Sequence, residues 1–392
     1  MNRASDSRMD EVILIDDAWW DRLADLTGGT SALCYQCGAC TATCPWGLVS
    51  PHTLSVRSLV RRAQLGLLVG DGDLWRCSTC ARCEESCPRG VHITDVFRGL
   101  RAVAWEQRAI PAGLPSLLWS VYWNGNPWSQ PPSQRSAWAK GLDVPRFDAA
   151  QHEVLLYVGC TASYDRRAQQ IARSLIRVLN AAGVRFGTLS DEEPCCGEAV
   201  LSLGHRPYFE EIAGQTAAVF QAEGVTQVVT ISPHCYDVFR NHYPRSEAGF
   251  RPLHYTQYLA TLIEQGRLAF DQALEARIAF HDPCYLARHN DEVEAPRLVL
   301  ASISGVEVVE MASTGAETVC CGGGGGRMWM ETPPGERFSD LRVREALATG
   351  ASILATACPF CVACLEDSVK AQRTPGLIVR DVAEIAALAL SA

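Results

Sequence analysis

Seventeen of the 18 cysteines in this 392-residue chain fall into four groups, and their spacing limits what the chain can fold into. Two groups, Cys34-Cys37-Cys40-Cys44-Pro45 and Cys77-Cys80-Cys83-Cys87-Pro88, share the run CxxCxxCxxxCP. The other two are spread out: Cys160, Cys195-Cys196 and Cys235, then Cys284, Cys320-Cys321 and Cys358-Pro359-Phe360-Cys361. Corresponding cysteines of these two groups lie 124 (160 to 284), 125 (195 to 320) and 126 (235 to 361) residues apart. A near-constant offset across three landmarks is an internal duplication.

Thiols clustered in this way read as metal ligands. Cysteine is about 5% of the chain, short of a disulfide scaffold, and the polar start MNRASDSRMDEV lacks the apolar core of a signal peptide. In the repeated run, three thiolates from one tight loop face one [4Fe-4S] cube while the fourth reaches the other. That pairs Cys34, Cys37, Cys40 and Cys87 on one cluster, and Cys77, Cys80, Cys83 and Cys44 on a second. A pair of zinc sites has no use for such a repeat. Five thiolates from three loops, as at Cys284 to Cys361, exceed what one zinc ion or one ordinary cubane takes from protein.

The elements around these groups follow from the local pattern. Residues 1 to 30 form an acidic extension with Trp19 and Trp20. Ser55 to Leu68 has apolar residues at helical spacing, so the two ferredoxin-type runs are joined by a helix. Ala109 to Gln134 carries no charge but holds five prolines and Trp119, Tyr122, Trp123 and Trp128. This composition predicts an extended connector lying across a surface and packing on its own chain; the alternative is that part of it docks on a partner or membrane subunit. From about residue 150 strands alternate with amphipathic helices: EVLLYVG, then a helix closed by glycine, QVVTIS, and a second pass from RIAFHDP to SILATA. The cysteines fall just past strand ends, where open α/β sheets place ligands.

The two ferredoxin runs followed by these two cysteine sets resemble the catalytic iron–sulfur subunit of heterodisulfide reductase and its bacterial relatives, the cysteine-rich "CCG domain" proteins. The family includes iron–sulfur subunits of glycolate, lactate and anaerobic glycerol-3-phosphate dehydrogenases. The resemblance covers about residues 31 to 392. It implies a multidomain fold: an α-helical ferredoxin domain (31–108), the aromatic connector (109–150), and two tandem α/β CCG repeats (151–275 and 276–392). It assigns Cys284, Cys320, Cys321, Cys358 and Cys361 to a noncubane [4Fe-4S] cluster, the candidate catalytic site. In the first copy the last element reads Ser232-Pro233-His234-Cys235, so one ligand is missing. Four thiolates remain, enough for a further iron–sulfur cluster, for a noncubane with Ser232 or water in the fifth place, or for zinc, or the site is left empty. Gly322 and Gly323, in the run that follows Cys321, let backbone N–H groups approach a cluster. His234 and His281 read as supporting or packing groups, and Cys364 as a core thiol.

The implied function is an iron–sulfur subunit of a heterodisulfide-reductase-like oxidoreductase complex, passing electrons between a flavoprotein or dehydrogenase and a quinone or cytochrome b-type membrane carrier. The alternative is a thiol/disulfide oxidoreductase acting at the second CCG site. A net charge of -9 without a basic run argues against nucleic acid. No apolar stretch of about 18 residues predicts a span of its own. The expected location is the cytoplasm, peripheral on the inner face of the membrane.

Overall fold

The computed structural model describes residues 17–50, 52, 54–65, 67, 72–244, 249–333 and 335–391. The acidic residues Asp6, Asp10, Glu11 and Asp16 lie outside them. Helix α1 (Asp17–Thr27) packs on α3 (Ile93–Glu106), and Gly99 of α3 allows it, because a Cβ there would sit 2.8 Å from Thr27. Between the two ferredoxin loops runs α2 (Val56–Gln64), capped by Ser55 Oγ, which accepts from the Ser58 N–H. Val56, Leu59, Val60 and Ala63 bury its apolar face.

The connector departs from expectation. Leu114–Asn124 is a helix, α4. Pro115 sits in its first turn, where the missing N–H costs nothing, and the next proline is Pro127, so eleven residues are free to coil. Leu114, Leu117, Ser120 and Val121 face inward, whereas Trp119, Tyr122 and Trp123 are exposed.

Two four-stranded parallel sheets follow, with strand orders β2-β1-β3-β4 and β6-β5-β7-β8. The first holds β1 (Val154–Tyr157), β2 (Phe186–Gly187), β3 (Gln227–Thr230) and β4 (Arg251–His254). The second holds β5 (Ala276–His281), β6 (Val306–Val309), β7 (Ile353–Thr356) and β8 (Ile378–Asp381). The central strands are continuous apolar runs because helices cover both faces. Helix α5 (Gln169–Ala181) buries Ile171, Ala172, Leu175, Ile176, Val178 and Leu179 and ends at Gly183, whose φ of 61° lets the chain turn back. It begins only at Gln169, because Gly159–Tyr164 forms a separate short helix around Cys160.

The repeats meet reciprocally. Helix α5, after the first strand of copy one, packs on α11 (Val382–Leu388), after the last strand of copy two. Likewise α7 (Tyr255–Glu264), after the last strand of copy one, packs on α8 (Glu294–Ala301), after the first strand of copy two. This is the pattern of a pseudo-two-fold pair. Arg167 of copy one binds Glu384 at 2.8 Å and Glu366 of copy two, and Tyr255 donates to Asp381 at 2.5 Å.

Candidate functional site

The two ferredoxin-type loops share one backbone shape. The residue before the second cysteine and the residue after it both take positive φ: Gln36 (69°) and Gly38 (89°) in the first loop, Thr79 (51°) and Ala81 (59°) in the second. Three of these four are not glycine, and such strain persists only where the surroundings hold it. The turn curls each CxxCxxC run around one point. Cys34, Cys37, Cys40 and Cys87 line a single small cavity, and Cys44 is an electrostatic neighbour of Cys77, Cys80 and Cys83. Backbone N–H groups of Thr79 and Val91 point at Cys77 Sγ and Cys87 Sγ, each at 3.4 Å. Cys37 and its neighbour Tyr35 are exposed, while Cys80 is buried. Burial pushes the Cys77 thiol up to about 11 and Cys44 to about 12.

Both sets of spread cysteines sit at the point where the strand order reverses, between β1 and β3 and between β5 and β7. In the second copy Cys284 follows β5, and Cys320 and Cys321 follow β6. Cys358 caps α10 (Pro359–Gln372), whose first turn carries Cys361. All five are buried. Cys284 and Cys320 Sγ lie 3.8 Å apart, Cys321 and Cys361 Sγ 3.4 Å apart. The Gly322 N–H donates to Cys320 Sγ at 3.2 Å. His281 lies with its ring nitrogen within 4.8 Å of the Cys321 and Cys361 sulfurs. Burial first, then Arg342 and Arg288, hold its pKa well below the ordinary value.

The second ferredoxin loop docks on this site. Ser78 Oγ is 3.7 Å from Cys320 Sγ, and the Cys80 thiol is an electrostatic neighbour of the same sulfur. Arg288 donates to the carbonyls of Cys80 (2.5 Å), Ala316 (2.9 Å) and Thr318 (2.7 Å), which sets its charge among Cys80, Cys284 and Cys320. Thr79 Oγ1 and Tyr285 Oη are 2.8 Å apart, and His289 Nε2 lies 2.8 Å from the Thr79 carbonyl. The glycine run makes this approach possible. A Cβ on Gly324 would lie 2.5 Å from the Ser78 carbonyl, one on Gly325 2.5 Å from that of Cys77, and one on Gly326 2.7 Å from Leu203. Gly322 turns its N–H to Cys320 Sγ, Gly323 faces Cys364 and Met328, and the last three glycines serve contact between units.

In the first copy Cys160, Cys195, Cys196 and Cys235 come together, with Cys196 and Cys235 Sγ 3.3 Å apart. Gly159, at φ 76°, keeps clear of Cys235, 3.2 Å from where a Cβ would stand. Arg135 reaches Cys160 Sγ at 3.5 Å and the buried Glu193 at 2.9 Å. Ser232 caps the short helix Pro233–Asp237, the place that Cys358 takes in copy two.

His234 reaches from its own copy into the second. Its ring stacks on Tyr285 (3.9 Å between centroids) and touches Phe360, its counterpart in the second repeat, at 4.7 Å. It is an electrostatic neighbour of Cys358 and lies 3.4 Å from Glu198 Oε1. Burial alone would raise the Glu198 carboxyl, but His234, Ser202 and Tyr285 outweigh it and hold it at about 2. Against burial, Cys361 and His234 bring the Cys358 thiol down to about 5. Arg135, Glu198, Arg288, Ser78 and Arg342 carry no motif, and nothing in local spacing points to them.

The donor sets are thiolates alone, with cationic arginines and N–H groups turned toward sulfur. Such sets fit soft, anionic iron–sulfur groups and not magnesium or calcium. A cavity of about 570 Å³ also opens on Cys321, lined by Trp46, Gly322, Arg327, Met328, Phe338 and Cys364 among others.

The cysteine-rich (CCG) domain family matches residues 154–240 and 278–366, and the 4Fe-4S dicluster domain family matches 30–91. The chain is 34% identical over 333 residues to the probable iron-sulfur-binding oxidoreductase FadF of Bacillus subtilis, covering 82% of this chain and 47% of that protein. It is 29% identical over 427 aligned positions to the EtfAB:quinone oxidoreductase of Syntrophomonas wolfei, covering 95% and 59%. It thus spans roughly half to three-fifths of these two relatives. Identity to one of the subunits of the dihydromethanophenazine:CoB–CoM heterodisulfide reductase of Methanosarcina barkeri is 33% over 328 residues, covering 81% of this chain and 78% of that one. With both domain families in this order and this degree of identity, the chain belongs to the family of ferredoxin- and CCG-domain iron–sulfur proteins that includes this heterodisulfide reductase component.

Proposed function

We propose that the chain is the electron-relay part of a heterodisulfide-reductase-like oxidoreductase, passing electrons between a flavoprotein or dehydrogenase and a quinone or membrane carrier. The observation that carries this reading is the contact of Ser78 and Cys80, in a ferredoxin ligand loop, with Cys320 of the second CCG site. When bound, the clusters supply one-electron carriers. The chain's own residues bring the ligand loops into contact, bury the CCG cysteines and spread arginine charge among the thiols. The exposed Cys37 and Tyr35 form the side open to a redox partner. The names of the Bacillus and Syntrophomonas relatives agree with this assignment.

Among the described residues no helix is long and apolar enough to cross a membrane. The exposed Trp119, Tyr122 and Trp123 on α4 suit docking on a partner or membrane subunit. A second reading, thiol/disulfide chemistry at the second CCG site, is favoured by the cavity that opens on Cys321.

The relay reading expects about 12 to 16 iron atoms per chain in anaerobic protein, about four for each cluster. Cys321→Ser should stop electron flow from reduced donor to quinone while both ferredoxin signals persist. An iron content near eight, or turnover unchanged in that variant, sinks the reading. Disulfide chemistry instead requires a paramagnetic signal that appears only on oxidation with a substrate thiol.

A further inference from the structure

His281 is the last residue of β5, fully buried, three positions before Cys284. Its Nδ1 lies 3.1 Å from Nε of Arg342, on α9 (Phe338–Ala348). Arg342 is itself fully buried and held by Glu345 at 2.7 Å and Met311 Sδ at 3.4 Å. A guanidinium has donors only. Nδ1 must therefore be the nitrogen with the lone pair, and the ring proton must sit on Nε2. That atom is buried and has no hydrogen-bond partner in the protein, which is costly unless something else accepts from it.

The ring stands beside the sulfurs of Cys321 and Cys361, so the three residues look like a ligand set. The tautomer speaks against that. The lone pair of Nδ1 is taken by Arg342, and Nε2 carries the proton, so neither nitrogen is free to bind a metal. The first repeat sharpens the contrast. Tyr157, the last residue of β1 and 124 positions before His281, turns its hydroxyl to the Pro194 carbonyl at 2.7 Å. The buried face of α6 (Arg206–Ala222), made of Phe209, Ile212, Ala213, Thr216, Ala217 and Phe220, holds no arginine. The histidine–arginine pair accompanies the copy with five cysteines.

We propose that His281 is a hydrogen-bond donor, not a ligand, to the sulfur of the group held by Cys321 and Cys361, and that Arg342 is the positioning residue that fixes the donating tautomer. The inference rests on the reading of the second CCG site as an iron–sulfur site. A fixed N–H beside sulfur stabilises the more negative, reduced form. The pair therefore makes this site an easier electron acceptor than its thiolates alone would.

The test uses anaerobic holoprotein titrated against redox mediators, with iron content measured in parallel. His281→Leu should keep its iron and both ferredoxin signals. Its second-site ratio of reduced to oxidised form at a fixed potential should fall about tenfold, which is about 59 mV for a one-electron couple. His281→Gln, which keeps an N–H, should stay within about threefold of the unaltered protein, and Arg342→Gln should follow His281→Leu. In unaltered protein labelled with ¹⁵N-histidine, the second-site signal should show a weak nitrogen coupling of hydrogen-bond type, lost in His281→Leu. An unmoved ratio, a strong coupling of ligand type, no nitrogen coupling, or loss of about four iron atoms in both His281 variants overturns the inference. Iron near eight in the unaltered protein would instead remove the cluster reading beneath it.

Discussion

Ser78 Oγ of the second ferredoxin loop stands 3.7 Å from Cys320 Sγ, 242 residues later in the chain, and both are buried. It is one of the side-chain links between the second ferredoxin loop and the five-cysteine site. Ser78→Ala should lower the reduced fraction at the second CCG site by about fivefold at equilibrium with the ferredoxin clusters, the worth of one modest hydrogen bond. Iron content should not change. Equilibrium mediator titration followed by EPR reads the fraction and iron analysis the metal content, and an unchanged fraction would show that the contact carries no coupling.

The same contact depends on Gly324 and Gly325. Gly325→Ala puts a Cβ 2.5 Å from the Cys77 carbonyl at a φ of 62°, so it should cost about 2–4 kcal/mol from overpacking and strain together. It should also slow transfer to the second site by pushing the ferredoxin loop away. Gly214→Ala is the control. It lies in the exposed part of α6 with nothing within 4 Å of its Cβ, and should stabilise by about 0.5–1 kcal/mol. Thermal unfolding of the two variants should move in opposite directions.

Asp381 gives a pH dependence with a definite sign. Burial raises its carboxyl to about 8, against the hydrogen bonds from Tyr255 and the Ala383 N–H. The unfolded carboxyl ionises near 3.9, so between about pH 4 and 8 the folded chain binds the extra proton and stability falls as pH rises. The loss amounts to about 6 kcal/mol at most. Asp381→Asn keeps an oxygen to cap α11 and should flatten the fall in Tm between pH 5 and pH 8. Parallel curves for the two proteins would show that Asp381 is ionised in the fold.

Ser232→Cys returns the missing thiol to the helix-capping place that Cys358 occupies in the other repeat. If Cys160, Cys195, Cys196 and Cys235 already hold iron, the metal content stays near 16 and only the first-site spectrum changes. A rise of about four iron atoms would mean that the natural first site carries none.

Much of this arrangement is legible in the chain, for local reasons. CxxCxxCxxxCP fixes thiolates within one turn of backbone, the 124- to 126-residue offset exposes the duplication, and the apolar runs of β1 and β5 announce buried parallel strands. Helix α4 was hidden, because five prolines in 26 residues outweigh the gap between Pro115 and Pro127 in any compositional reading. The glycine run after Cys321 declared a close approach of backbone but not what approaches. Two of its members meet the Cys77 and Ser78 carbonyls.

Sequence alone therefore determined how the thiols are grouped, seventeen cysteines in four sets, because loop spacing is a short-range property. Tertiary structure decided what surrounds those atoms. Arg288 among thiols of two units, His234 crossing from the incomplete copy to Cys358, and Arg342 fixing the tautomer of His281 are contacts between residues far apart in the chain. No periodicity encodes such contacts, because they arise only when two sheets and a helical domain close on one another.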